Sequence, residues 1–77
     1  MTRKELDLAI EAMPSVAFTS VTRHGNGDVL VVGRIAEGFD QVAARRAFMA
    51  FADTLPIGIR LTVSLYDGQS TLTYEVI

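Results

Sequence analysis

The chain has no cysteine, no tryptophan, a single histidine, two prolines and only 8% aromatic residues. Without cysteine, disulfides and thiolate metal sites are excluded, and a reducing compartment is permitted. His24 alone cannot assemble a zinc site. Charge of either sign is scarce: 7 Lys and Arg stand against 9 Asp and Glu, for a formal net charge of −2 and a pI near 5.1. That balance excludes a general nucleic-acid binder, which needs a basic face. It is also too mild for a mimic relying on dense negative charge. No apolar run approaches the roughly 20 residues of a membrane-spanning helix, so no membrane partner is expected. The opening residues, MTRKELD, are polar from the start. No secretory leader is legible in them, and a cytoplasmic location is expected.

What the chain does have is apolar surface, with 49% hydrophobic residues and a mean hydropathy of +0.30. Such a composition argues against disorder. Its 77 residues allow a single domain, 1–77, with one core that is marginal by itself. With disulfides and metals set aside, a second copy or a protein partner is the remaining source of added stability.

Thr2 and Glu5 fit a capping box. Behind them Leu6, Ala9, Ile10 and Met13 recur at helical spacing. Pro14 ends the run, which predicts a helix over about residues 3–13. Val16 to Arg23 reads as a strand, HGNGD as a tight turn whose two glycines supply positive φ, and Val29 to Ile35 as the returning strand. Asp40 is a helix N-cap, with Phe39 before it placed to staple against Ala44. Ala44, Phe48, Phe51 and Leu55 then form an apolar stripe, and that helix stops at Pro56. Ile57 to Leu65 alternates with period two, Asp67-Gly68 makes a second hairpin turn, and Leu72, Tyr74 and Val76 alternate again.

The order is therefore αββαββ, an α+β fold expected as a four-stranded antiparallel sheet with two helices on one face. The two αββ units read as a pseudo-repeat. At an offset of 42 residues, Pro14, Val21, Leu30 and Ile35 align without a gap on Pro56, Val63, Leu72 and Ile77.

The halves differ in what they would show to water. In the second hairpin the outward positions are Arg60, Thr62, Ser64, Thr71, Thr73 and Glu75, a wet face. Transferring that parity to the first hairpin sends Leu30 and Val32 inward and leaves Phe18, Val29, Val31 and Ile35 outward. A sheet with one covered face normally carries polar residues on the other. Two outcomes are open. The first strand carries a bulge or the other parity, and Phe18 joins the core. Alternatively, Phe18, Val29, Val31 and Ile35 form a patch that a second copy or another protein covers. Val42, Arg45, Arg46 and Met49, on the far side of the second helix, make either a solvated face, the favoured reading, or a second contact region.

Catalytic groups are thin. His24 is the one residue of the type suited to general-base work near neutral pH, with Asp28 close by, but no activated nucleophile accompanies it. HGNGD lacks the following helix that a phosphate loop needs, and no calcium-loop spacing is present. No enzymatic activity, cofactor or metal is expected.

The segment GDVLVVGRIAEGFDQVAARRAFMAFAD, Gly27 to Asp53, resembles the central part of small phage anti-CRISPR proteins acting on type I systems. The matching positions are Val31, Val32, Gly33, Arg34, Gly38, Asp40, Ala43, Ala44, Ala47 and Ala50. The resemblance implies a non-enzymatic inhibitor that binds the CRISPR surveillance complex in the cytoplasm of a bacterial host. No site residues carry over with it. The same stretch is similar to the BON domain, a small α/β module of bacterial envelope proteins, which leaves a BON-like or small-ligand-binding module as an alternative. The residues alone favour a protein-binding module whose apolar sheet face engages a partner, with a structural homodimer as the other possibility.

Overall fold

A computed structural model describes residues 2–56 and 58–76 of the chain. Helix α1 (Arg3–Glu11) starts where Thr2 Oγ1 accepts the Glu5 amide at 3.2 Å. The Thr2 hydroxyl in turn donates to the Glu5 carboxylate at 3.1 Å. The carboxylate thus meets the hydroxyl, where a full capping box would have it meet the Thr2 amide. Ala12 caps the far end, and the helix's last residue, Glu11, falls two short of the expected limit. Helix α2 (Gln41–Ala52) begins with Asp40 Oδ1 accepting the Ala43 amide at 2.8 Å and ends at an Asp53 cap. The strands are β1 (Val16–Arg23), β2 (Asp28–Ile35), β3 (Arg60–Tyr66) and β4 (Thr71–Glu75). Ile57, expected to open the third strand, lies outside the described residues.

The sheet order is β1-β2-β3-β4. Both hairpins are antiparallel, but β2 and β3 run parallel, so the sheet is mixed and the expected all-antiparallel sheet is corrected. The cause is α2. A tight turn reverses the chain, whereas a helical crossover carries it back to the end where the previous strand began, and an adjacent strand then runs the same way.

The expected parity of the first hairpin is also overturned. Val29, Val31 and Ile35 point into the core and are buried, while Leu30 and Val32 turn to the other side. The second hairpin places Asp67 to Ser70 between its last pair, Tyr66 and Thr71. The first places His24 to Asp28 between Arg23 and Val29, one residue more. A slip of one residue sends every side chain of the returning strand to the opposite face. In that first turn Gly27 alone takes positive φ, +93°, and the Asn26 side chain holds the Asp28 amide at 3.1 Å.

The core is one cluster. Leu6 and Ile10 of α1 and Ala44 and Phe48 of α2 are buried with Val29, Val31 and Ile35 of β2 and Leu61, Val63 and Leu65 of β3. On the other side β2 carries Leu30 and Val32 between hydroxyl residues: Thr22 and Thr62 flank Leu30, and Ser20 and Ser64 flank Val32. Ser64 and Thr73 share a hydrogen bond of 2.9 Å there, and Arg60 reaches Glu75 at 3.6 Å. The proposed apolar sheet face therefore shrinks to two side chains in a hydroxyl-lined surface.

β1 is irregular between Ala17 and Ser20, where Phe18 and Thr19 together oppose Gly33. Glycine is needed opposite this bulge. A Cβ there would sit 3.0 Å from Thr19 Cγ2 and 3.3 Å from both the Ala17 carbonyl oxygen and Thr19 Cα. Two of those three atoms are backbone and cannot swing aside. Gly33→Ala is expected to cost about 1–3 kcal/mol by overpacking, lowering the melting temperature by roughly 4–8 °C per kcal/mol in a domain this small. Gly25→Ala, which meets nothing within 4 Å, should stay within about 0.5 kcal/mol. Thermal denaturation of the two variants side by side checks the bulge.

Candidate binding site

The bulge sets Phe18 apart from every other side chain of the sheet. Its φ is +54°, alone among non-glycine residues described. The left-handed region brings Cβ against the following carbonyl, costing about 1–2 kcal/mol for an L-residue. A bulky residue there is an outlier. Burial does not repay that cost, because Phe18 is 87% exposed. The bulge foreseen as one outcome does occur, yet Phe18 does not join the core.

Phe18 stands at the rim of an open cleft of about 420 Å³, formed where β1 begins, β2 ends and the Ala36–Phe39 link leaves the sheet. Arg34 enters from β2, Glu37 and Phe39 from the link, and Asp67 from the turn between β3 and β4. The link is shaped by Gly38 at φ +87° and by the Phe39 amide bonding the Ala36 carbonyl at 3.1 Å. Phe39 is 43% exposed, so two phenyl rings flank a cleft whose charged groups carry both signs. Asp67 Oδ1 accepts the Gln69 and Ser70 amides at 2.9 Å each. Those bonds, Ser70 first, hold its carboxyl below the ordinary aspartate value, since they favour the ionised form. Asp67 is therefore a negative charge on the cleft lining. A second cleft, sharing Phe39 and Asp67, continues past Gln41 to Gln69.

Of the expected contact residues, only Phe18 and Ile35 line the first cleft, and Ile35 does so from the core side. Val29 and Val31 are wholly interior. Val42 and Met49 are exposed on α2 and do not line either cleft. The two arginines of that helix part company. Arg45 lies 5.0 Å from the centre of the Tyr74 ring, a cation–π distance, while Arg46 is exposed on the helix surface. Burial pushes the Tyr74 hydroxyl above its ordinary pKa, against the pull of Arg45.

His24 is exposed at the tip of the first hairpin, where its amide bonds the Asp28 carbonyl at 2.8 Å. The Asp28 carboxylate is taken by the Asn26 side chain at 3.1 Å and by Arg60 at 3.9 Å, and His24 stands as a hairpin-tip residue. No group of three or more His, Asp or Glu gathers among the described residues. No described helix is long and apolar enough to cross a membrane. Sequence reasoning missed Phe39, Arg34 and Asp67 as neighbours of Phe18. The available signal was Gly33, because an isolated glycine inside a strand pattern marks a bulge.

No protein-family model, curated protein or solved structure matches the chain.

Proposed function

We propose that the chain is a small non-enzymatic protein-binding module whose principal contact is Phe18, seconded by Phe39 across the cleft. One observation carries this reading. A phenylalanine is held at φ +54° and left 87% exposed, a backbone cost with no return inside the chain. Strain of that kind gathers at ligand clamps and switch regions, and aromatic residues, phenylalanine included, are enriched at protein interfaces. The scaffold fits the role: a four-stranded sheet shares one core with both helices and leaves Phe18 standing out where β1 begins.

The resemblance of Gly27–Asp53 to anti-CRISPR proteins gives the module a specific form, a phage-encoded inhibitor acting on a type I surveillance complex in the bacterial cytoplasm. Two measurements test these levels separately. In cells with an active type I system, expression of the chain should restore transformation by a targeted plasmid. No restoration would remove the inhibitor form and leave the module. Tagged protein should capture a defined partner from bacterial lysate, and Phe18→Asp should lose it. Undiminished capture by that variant would remove Phe18 as the site.

A further inference from the structure

β4 closes one side of the sheet, and its hydrogen-bonding phase follows from its pairing with β3. Val76 donates its amide to Leu61 O at 2.9 Å, and Asp67 donates to Ser70 O at 3.1 Å. Antiparallel pairs alternate between bonded and non-bonded. Leu72 and Tyr74, opposite Leu65 and Val63, therefore spend their backbone groups on β3. Thr71, Thr73 and Glu75 turn theirs outward, to the open edge. β1, the other edge, is bent by its bulge, a device that blocks strand addition. β4 has none: its register with β3 is unbroken, and it contains neither proline nor lysine.

Helix α2 reaches over this edge with polar side chains. Gln41 donates to Leu65 O at 3.0 Å and Arg45 lies over Tyr74, so that flank of α2 looks towards β3 and β4. At about 100° per residue, Met49 and Val42 fall roughly 40° and 60° further round than Arg45. Both are exposed, and Leu72, on the core-ward side of β4, is 42% exposed. Leu72 thus leaves an apolar side chain beside the open edge, while Met49 and Val42 lie on the outer side of α2, turned away from the buried Ala44 and Phe48. Tyr74 Oη is buried there with no hydrogen-bond partner among the described residues.

We propose that a second copy of the chain occupies this edge, β4 pairing antiparallel with β4 about a two-fold axis at Thr73. A two-fold interface must match itself, and this one does. With Thr73 on the axis, Thr71 of each copy faces Glu75 of the other, and all three outward-facing residues pair. Leu72 of each copy lies opposite Tyr74 of the other, an aliphatic–aromatic pair. The one carboxylate of β4 meets a hydroxyl and keeps its contact with Arg60 at 3.6 Å. An axis at Glu75 would set two carboxylates against each other, which is destabilising. The sheet continues across both copies, and the two β1 strands stand at its far ends. Seven inter-strand steps of about 4.8 Å separate them, about 34 Å in all, so the pair presents two Phe18 sites facing outward.

Sedimentation across the micromolar range tests the pairing on the intact chain. The expected mass is twice 8.4 kDa. Thr73→Pro removes an outward amide and none bonded to β3, and Thr73→Lys sets a charge on the edge. Both are expected to sediment as monomers at every concentration while keeping the wild-type circular dichroism spectrum. In amide exchange followed by NMR, Thr71, Thr73 and Glu75 should be protected in the wild type and lose protection on dilution. Should Thr73→Pro fail to fold, the lysine variant and the exchange pattern decide. A wild type that is monomeric throughout, or a dimer whose Thr73 and Glu75 amides exchange freely, overturns the proposal. Neither result touches the Phe18 site, whose test is partner capture.

Discussion

Val31→Asp is expected to leave the chain unfolded, while Val32→Asp, one residue along, is expected to leave it folded. Val31 is fully buried and pairs with Val21 on one side and Val63 on the other. The substitution forfeits about 1.5–3 kcal/mol of apolar burial and adds several kcal/mol for a carboxylate forced among valines without a cation. A 77-residue chain has on the order of 4–12 kcal/mol of stability in all, at about 0.05–0.15 kcal/mol per residue. The loss consumes most or all of it. Val32 is 46% exposed, with Ser20 and Ser64 as its strand neighbours. An aspartate there keeps its water and costs about 1 kcal/mol, the span of strand propensity. Far-UV circular dichroism and a urea titration of both variants read the difference. Equal behaviour, or the reverse order, would show that β2 sits with the other parity.

That pair of substitutions marks the boundary of what the amino-acid pattern discloses. Caps at Thr2 and Asp40 and the places of both hairpin turns follow from local chemistry, and they are legible because each acts within a few residues; both helices end short of the expected proline stops, at Glu11 and at Ala52 where about Leu55 was expected. The β2–β3 pairing is not local, yet a signal existed: a helix between adjacent strands makes them parallel. It went unread because nothing in the residues says which strands are neighbours. The parity of β2 depends on whether HGNGD spans four or five positions between the strands, and its two glycines permit either. Phe18 was legible as unusual but not as strained, since a left-handed phenylalanine has no sequence signature. Gly33, which lies across from it in β2, was the trace left by the bulge.

Phe18→Asp should have the opposite profile to Val31→Asp, with the fold intact and recognition lost. At 87% exposure the ring contributes little burial, so thermal stability should move by no more than about 0.5 kcal/mol. An aromatic anchor at the centre of an interface costs 2 kcal/mol or more on truncation, about 30-fold or more in dissociation constant. The aspartate adds a charge beside Asp67, already held ionised by two backbone amides, which deepens the loss. Phe39→Ala, on the other side of the cleft, is expected to weaken capture less, as its ring is half covered by its own chain. Isothermal titration with the captured partner separates the two residues.

The claim beneath all of this is that Phe18 strains the backbone for something outside the chain. The thermal melt of Phe18→Gly measures it most directly, because glycine accepts φ +54° without the Cβ clash. Relief of about 1–2 kcal/mol, less the entropy glycine loses on folding, predicts a net gain of up to about 1 kcal/mol. In a domain this small that is a rise in melting temperature of roughly 4–8 °C, together with loss of partner capture. A melting temperature that falls instead would mean the ring holds the fold together, and the assignment of Phe18 to recognition would be contradicted.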